Sequence, residues 1–203
     1  MSYAAPAILL AYLLGCINTG YYLVRLVARR DIRTVVSGNS GSRNVGRLLG
    51  TWGFVVTFLG DAGKGAAVVW CVHHTGGGHL LATFALLAVT AGHIWPVQLG
   101  FRGGKGFATF AGGMVILEPS VLIVGLVLCA VAYPLVRSTT RTGLLSLACS
   151  PLIFMLVRLR GDAPPATPDF VVYCILAGLV LFAHRANIRR ESSKHANDAE
   201  PGA

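Results

Sequence analysis

The chain has 203 residues, of which 54% are apolar and only 12% are charged, about half the charged fraction of a soluble domain. This composition excludes an ordinary soluble protein and predicts an integral membrane protein with one compact helical domain. The formal net charge is +9. Because the basic residues lie between apolar segments, they indicate positive-inside loops and anionic ligands or lipids, and not nucleic acid.

Seven apolar segments follow in chain order and predict an all-α protein with about seven transmembrane helices. They are residues 4–27, 51–73, 80–99, 107–117, 120–136, 143–157 and 170–183. The fourth is shorter than the roughly 20 residues of a full span, so a short tilted helix and a re-entrant helix both stay open. We expect residues 1–190 to form a single transmembrane domain and residues 191–203 to form a polar, disordered tail.

Basic residues predict the orientation of these segments. With the N-terminus outside, fourteen of the 17 Lys and Arg residues fall on inner loops and the tail, two fall on outer loops, and Lys64 lies within a span. Since inner loops carry the excess of Lys and Arg, the C-terminus is predicted to be cytoplasmic.

The polar loop after the first segment, predicted over residues 28–49, holds the stretch SGNSGSRNVGR from Ser37 to Arg47. Its hydroxyl and amide groups, glycines and two arginines suit phosphate, because arginine makes bidentate phosphate contacts. The alternative is a solvated cytoplasmic loop with the usual basic bias.

A second stretch, Gly103-Gly104-Lys105-Gly106, joins the third and fourth segments. Glycines let backbone N–H groups approach a ligand, the lysine adds a positive charge, and the next helix begins with unpaired N–H groups. This pattern predicts a phosphate cradle at the end of a span. The alternative is a tight interhelical turn with a positive-inside lysine.

Two further pairs have helical i,i+3 spacing. Asp61 and Lys64 lie within a span, where charges usually face a partner or a cavity, and a self-neutralising structural pair is the commoner outcome. His184 and Asn187 lie at the inner end of the last segment, as an acid/base and orienting pair or as interfacial anchors. The predicted topology brings this pair and both loops to one cytoplasmic face, which indicates an interfacial active site.

Metal or disulfide chemistry has little support in the sequence. The five cysteines lie singly inside apolar segments without CxxC spacing, so we expect buried fillers. His73, His74 and His79 crowd one outer loop without any further metal signature. We expect no metal and no cofactor.

SGNSGSRNVGR, GHIWPVQLGFRGGKGFAT and HRANI, in this order and spacing, closely resemble the bacterial acyl-phosphate:glycerol-3-phosphate acyltransferases. The D-x-x-K-G of Asp61–Gly65 and GCINTGYYLVRL in the first segment also fit. The resemblance extends from about Gly15 to Arg190 and is specific because several motifs recur in order.

The resemblance implies a seven-helix enzyme of the bacterial inner membrane with a cytoplasmic active site. It implies transfer of a fatty acyl group from acyl phosphate to the 1-hydroxyl of glycerol 3-phosphate, giving lysophosphatidate and phosphate for phospholipid synthesis. The implied partners are these two substrates, membrane lipids and the acyl-phosphate-forming enzyme.

The resemblance also implies site residues by position. The catalytic set is Ser37, Arg47, Lys105, His184 and Asn187. The phosphate-binding set is Gly103, Gly104, Gly106, Asn39, Asn44 and Thr109. Since acyl phosphate is an activated mixed anhydride, we expect direct transfer without an acyl-enzyme. Either His184 or the leaving phosphate accepts the proton.

The chain departs from the family pattern at several positions. Val36 precedes Ser37 where the family usually has glycine, and Ser42-Arg43 replace the usual Ala-Thr before Asn44. We expect the extra charge of Arg43 to alter glycerol 3-phosphate affinity. A tail glutamate typical of the family has no assigned position here.

Two other functions stay open at this stage. A transporter for a phosphorylated metabolite would place its site near the midplane, on broken helices with internal symmetry, and no repeat is visible here. A non-catalytic lipid-binding membrane protein would need no ordered set of Ser, Arg, Lys and His.

Overall fold

The computed structural model describes residues 3–35, 37–160 and 167–188, and all the α-helices and 3-10 helices below lie in these ranges. In chain order they are α1 (Ala4–Cys16), α2 (Thr19–Ala28), α3 (Ser42–His74), α4 (His79–Ile94), α5 (Phe107–Leu117), α6 (Pro119–Val136), α7 (Thr139–Arg160) and α8 (Thr167–Ala183). Two short 3-10 helices occupy connecting loops, at Ile32–Thr34 and Val97–Leu99. No strand occurs in the described ranges, which confirms the predicted all-α class there. The predicted tail lies outside them.

Each of the seven predicted apolar segments is helical. Five stretches are long and apolar enough to cross a membrane, namely Ala4–Ala28, Ser42–His74, His79–Leu99, Pro119–Val136 and Thr139–Arg160. Two shorter apolar helices are Phe107–Leu117 and Pro168–Ala183. The number of crossings and their orientation stay predictions.

The first segment is broken, where a continuous helix was expected. α1 ends before Ile17, and Ile17 and Asn18 adopt extended backbone before α2 begins. Carbonyl groups freed by such a break need donors, because lipid offers none. The Lys64 ammonium donates to the carbonyls of Gly15 at 3.2 Å and Ile17 at 2.7 Å, so an intramembrane lysine stabilises the break.

α3 also contains a break, at Gly50, whose φ of 77° and ψ of −168° lie outside the helical region. The arm before it, residues 42–49, is helical, so the prediction of an irregular loop over residues 28–49 is wrong for this part. Arg43 and Arg47 are four residues apart and therefore share one side of this arm.

Helices α4 to α8 run between two ends of the bundle. One end is held by a cluster that we call the Glu118 cluster, formed by His79, Glu118, Arg158 and Asp169. Glu118 Oε1 accepts from His79 Nε2 at 2.9 Å and from Arg158 Nε at 2.8 Å, and His79 Nδ1 lies 3.4 Å from Asp169 Oδ1. These residues come from the start of α4, the α5–α6 junction, the end of α7 and the start of α8. The starts of α5 and α7 and the end of α8 therefore lie at the opposite end.

The closest helix crossings depend on small residues, as is common in membranes. A Cβ on Gly15 would lie 2.2 Å from the Val89 carbonyl oxygen, where α1 crosses α4. A Cβ on Gly65 would lie 2.0 Å from the Thr109 carbonyl oxygen, where α3 crosses α5. The five cysteines differ in burial. Cys71 is exposed, so the prediction that it is a buried filler is wrong.

Candidate active site

A cavity of about 620 Å³ opens at the end of the bundle opposite the Glu118 cluster. Its walls come from the 37–47 stretch, α3, the end of α4, the starts of α5 and α7, and the turn after α8. The predicted site residues that line it are Ser37, Asn39, Asn44, Arg47, Asp61, Lys105, Gly106, His184 and Asn187. Three stretches that are far apart in the chain therefore meet in one cavity.

The amide of Asn44 holds the 37–47 stretch together. Its Oδ1 accepts from the Ser37 N–H at 3.1 Å, and its Nδ2 donates to the carbonyls of Ile32, Val35 and Asn39 at 3.2, 3.0 and 2.9 Å. These contacts occupy the amide of a buried residue. Asn44 therefore holds this loop together, and its phosphate contact stays a prediction.

Asn39 positions the Ser37 hydroxyl at the cavity wall. Its Oδ1 accepts from the Gly41 N–H at 2.8 Å, and its Nδ2 lies 3.5 Å from Ser37 Oγ as a donor. Arg47 is exposed on the same wall. A serine, an amide and a guanidinium thus face the cavity together.

The glycine-lysine stretch differs from the predicted cradle. The Gly103 N–H donates to the Ile94 carbonyl at 3.1 Å and the Gly104 N–H to the His93 carbonyl at 3.0 Å, so both donors point at α4. Neither glycine lines the cavity. These N–H groups already have partners in this arrangement, and the phosphate contact of the two glycines stays a prediction.

The start of α5 supplies the cationic part of this wall. Gly106 precedes the helix with a φ of 80°, in the left-handed region that suits glycine, and Lys105 and Gly106 both line the cavity. Thr109, one turn further, is fully buried at the crossing with Gly65 and does not line the cavity. Its phosphate contact also stays a prediction.

His184 and Asn187 follow the end of α8 and do not share one continuous helix as their spacing predicted, because His184 lies in a turn and Asn187 lies in a short helical stretch after it. Asn187 Oδ1 accepts a hydrogen bond from Lys105 Nζ, which joins this stretch to the start of α5. His184 is buried, and its Nδ1 lies 2.8 Å from the Val180 carbonyl oxygen. A carbonyl only accepts, so Nδ1 carries the proton and the neutral ring keeps its lone pair on Nε2.

Burial lowers the pKa of His184 below its ordinary value, and the nearby charges of Lys105 and Arg43 lower it further, against the opposing bond to the Val180 carbonyl. The imidazole is therefore neutral near pH 7 and can accept a proton.

The predicted pair of Asp61 and Lys64 is in contact, with 3.0 Å between Asp61 Oδ1 and Lys64 Nζ. A third residue, His93, also belongs to this group and was not predicted from the sequence. His93 Nδ1 lies 2.8 Å from Lys64 Nζ and 3.5 Å from Asp61 Oδ1. An ammonium only donates, so His93 Nδ1 is the acceptor. Asp61 and His93 also line the cavity. The group of Asp61, Lys64 and His93 therefore stabilises the break between α1 and α2 and also forms part of the cavity wall.

Asn18 and Ser40 form a buried hydrogen-bonded pair that contacts the His93 backbone. This pair was also not predicted from the sequence. Ser40 Oγ donates to Asn18 Oδ1 at 2.6 Å, and Asn18 Nδ2 donates to the His93 carbonyl at 3.2 Å. A polar residue inside an apolar segment was the available signal, since burying an amide without partners is unfavourable. Its partners could not be named from sequence.

Arg43, Thr139 and Thr140 also line the cavity, and of these only the position of Arg43 beside the site is predicted by the sequence. The two guanidinium nitrogens Nη1 and Nη2 donate to the hydroxyls of Thr140 and Thr139. This contact joins the first arm of α3 to the start of α7.

A family model for glycerol-3-phosphate acyltransferase matches residues 5–194. The chain belongs to this family. Relatives named glycerol-3-phosphate acyltransferase include one from Desulfitobacterium hafniense, 38% identical over 92% of this chain and 90% of the relative, and one from Clostridioides difficile, 37% identical over 89% and 87%.

Solved structures agree with this family. The crystal structure of PlsY, an integral membrane glycerol 3-phosphate acyltransferase, in its glycerol 3-phosphate form matches with a TM-score of 0.82 and 30% identity, over 94% of this chain and 92% of that one. A lysophosphatidic acid form of PlsY matches with a TM-score of 0.79 and 28% identity over the same shares. The protein is thus a multi-pass membrane acyltransferase.

Proposed function

We propose that this protein transfers a fatty acyl group from acyl phosphate to the 1-hydroxyl of glycerol 3-phosphate, releasing lysophosphatidate and inorganic phosphate. One observation carries the proposal: a single cavity holds the cations Arg47 and Lys105 together with the neutral imidazole of His184. Both substrates bear phosphate, and one reacting hydroxyl must lose a proton, so this combination suits the reaction. A relative has been crystallised with each of glycerol 3-phosphate and lysophosphatidic acid.

The proposed topology has seven crossings, with the N-terminus outside and the cavity at the cytoplasmic face of the inner membrane. α5 begins at Phe107, which lines the cavity, and ends at Leu117, next to Glu118 in the cluster at the opposite end of the bundle. This supports a short crossing over a re-entrant helix. The excess of Lys and Arg in the inner loops supports the orientation.

Glycerol 3-phosphate binds with its phosphate between Lys105 and Arg47, which neutralise it. Its 1-hydroxyl donates to His184 Nε2, the nitrogen whose lone pair remains available. The hydroxyl oxygen attacks the acyl carbonyl while His184 takes the proton. A new C–O ester bond forms, and the acyl–phosphate bond breaks with its electron pair leaving on phosphate.

Ser37 and Asn187 orient groups by hydrogen bonds and form no covalent bond to the acyl chain. An anhydride needs no protein nucleophile, because phosphate is already a good leaving group. The leaving phosphate is the rival proton acceptor. Trapping an acyl group on Ser37 with labelled acyl phosphate would refute direct transfer.

The test is phosphate release on mixing the purified protein with palmitoyl phosphate and glycerol 3-phosphate. We expect release that requires both substrates and is lost in Lys105→Ala. Arg102→Ala, an exposed cation in the same connection that does not line the cavity, is the matched control and should keep activity. No release from folded wild-type protein would overturn the proposal.

A transporter is the other function that the sequence left open. The broken α1–α2 segment with Lys64 suits a transporter site. The predicted catalytic residues, however, gather at the end of the bundle with the cavity, which favours a reaction on substrates that arrive from one side.

A further inference from the structure

Direct transfer between two phosphorylated substrates sets an electrostatic requirement. Both phosphates must be present at once, and they repel each other unless each has its own cation. The cavity is lined by three cations, Arg43, Arg47 and Lys105, and by the carboxylate Asp61, which is paired with Lys64. The charge available therefore exceeds what one phosphate needs.

Arg43 and Lys105 are held on different parts of the cavity wall. Lys105 is bound to Asn187 after the end of α8, whereas Arg43 is bound to Thr139 and Thr140 on α7. No carboxylate lies within ion-pair distance of Arg43 in the residues that the structure describes. His184 is close enough to both Lys105 and Arg43 for each to lower its pKa.

The hydroxyl groups of Thr139 and Thr140 act as acceptors toward Arg43 and can still act as donors toward a ligand. Each hydroxyl accepts from the guanidinium, and each still has its own O–H to donate. A guanidinium and two oriented hydroxyls match the acceptor oxygens of a phosphate group. Arg43, Thr139 and Thr140 are thus a cluster of hydrogen-bond donors on the cavity wall.

The helix that carries these threonines continues into apolar surroundings. Gly143, one turn beyond Thr139 and Thr140, lines the cavity and also lines a second, apolar cavity of about 70 Å³. Phe107 is shared between the two cavities in the same way. The second cavity lies among α5, α6, α7 and α8, with walls that include Met114, Leu122 and Leu147.

Given the acyl transfer proposed above, we infer that Arg43, Thr139 and Thr140 bind the phosphate of acyl phosphate, while Lys105 and Arg47 bind that of glycerol 3-phosphate. The first methylene groups of the acyl chain then lie along α7 beside Gly143, at the entrance to the apolar cavity, which is too small for the whole chain. This assignment differs from the expectation from sequence that Arg43 alters glycerol 3-phosphate affinity, and the two are distinguished by the test below. When the acyl–phosphate bond breaks, Arg43 stabilises the charge that develops on the leaving phosphate.

The test compares Arg43→Gln, Arg43→Lys and the double variant Thr139→Val/Thr140→Val with wild type. The control is Arg102→Gln, which removes an exposed cation outside the cavity. KM is measured for palmitoyl phosphate and for glycerol 3-phosphate separately. Kd is measured for a palmitoyl phosphonate in which a methylene group replaces the bridging oxygen, so that no transfer occurs.

We expect Arg43→Gln to raise KM for palmitoyl phosphate and Kd for the phosphonate about tenfold or more, and KM for glycerol 3-phosphate less than about twofold. Arg43→Lys should fall between, because it keeps the charge without the planar fork. A rise confined to the KM of glycerol 3-phosphate, or unchanged constants for both substrates, would overturn the inference.

The two proposals fail in different ways. Absence of turnover in the wild type counts against the proposed function, while phosphonate binding still tests Arg43 without any reaction. Unchanged phosphonate binding in Arg43→Gln, with normal wild-type turnover, overturns the Arg43 inference alone. The threonine variant is nearly isosteric, so a similar rise in Kd there supports the cluster without depending on the Arg43 variants.

Discussion

Gly104→Ala is expected to lower kcat/KM for glycerol 3-phosphate about 100-fold. A Cβ on Gly104 would lie 2.0 Å from His93 Nε2 and 2.8 Å from His93 Cε1. The ring has little room to turn, because it is only 3% exposed and its Nδ1 is held by Lys64 at 2.8 Å. The new methyl group and the ring must therefore separate by about 1.4 Å to reach an ordinary van der Waals contact of 3.4 Å.

This displacement acts directly on the site, since Lys105 is the next residue. A misplacement on the order of 1 Å costs about 100-fold in rate, which corresponds to about 2.7 kcal/mol of barrier. Overpacking a buried contact also destabilises by about 1–3 kcal/mol, so a modest decrease in melting temperature should accompany the kinetic loss.

The assay is steady-state phosphate release with palmitoyl phosphate, combined with thermal unfolding in detergent. Gly178→Ala is the matched control, because nothing lies within 4 Å of a Cβ at that position on α8. It should keep both activity and melting temperature. Wild-type kcat/KM in Gly104→Ala, with unchanged melting, would refute the idea that His93 positions this stretch.

Three other predictions follow from the same geometry. Burial lowers the pKa of His184 below its ordinary value near 6.5. We therefore expect kcat/KM to fall only as the pH drops below that value, where the ring takes up a proton. An acidic limb centred above 6.5 in the pH profile of kcat/KM would contradict this. Arg158→Ala should lower the free energy of unfolding by about 2 kcal/mol, because it leaves the buried carboxylate of Glu118 with one donor fewer, while Arg160→Ala should have little effect in the same thermal melts. Asn18→Ala should destabilise by about 1–3 kcal/mol, because buried polar partners lose their hydrogen bonds, and a melting temperature equal to wild type would count against that role.

The sequence predicted which residues lie at the site more accurately than it predicted their contacts. Lys105, His184 and Asn187 were identified from short local patterns, and the structure brings them together. Gly103 and Gly104 lie beside the site, but the partners of their N–H groups could not be predicted. Their N–H groups bond to α4, and no local pattern indicates which way a glycine-rich backbone will face.

The sequence by itself determined the class of protein, the helical segments and the family. Hydropathy and motif order are properties of neighbouring residues, and a bilayer leaves a span few alternatives to a helix. Only the tertiary structure decided the break at Ile17, the third member of the Asp61–Lys64 group and the partners of Arg43. These contacts join residues as much as 97 positions apart, such as Arg43 and Thr140, and depend on how the helices pack. Helix packing is set by the fit of many side chains at once, so it cannot be read from one segment at a time.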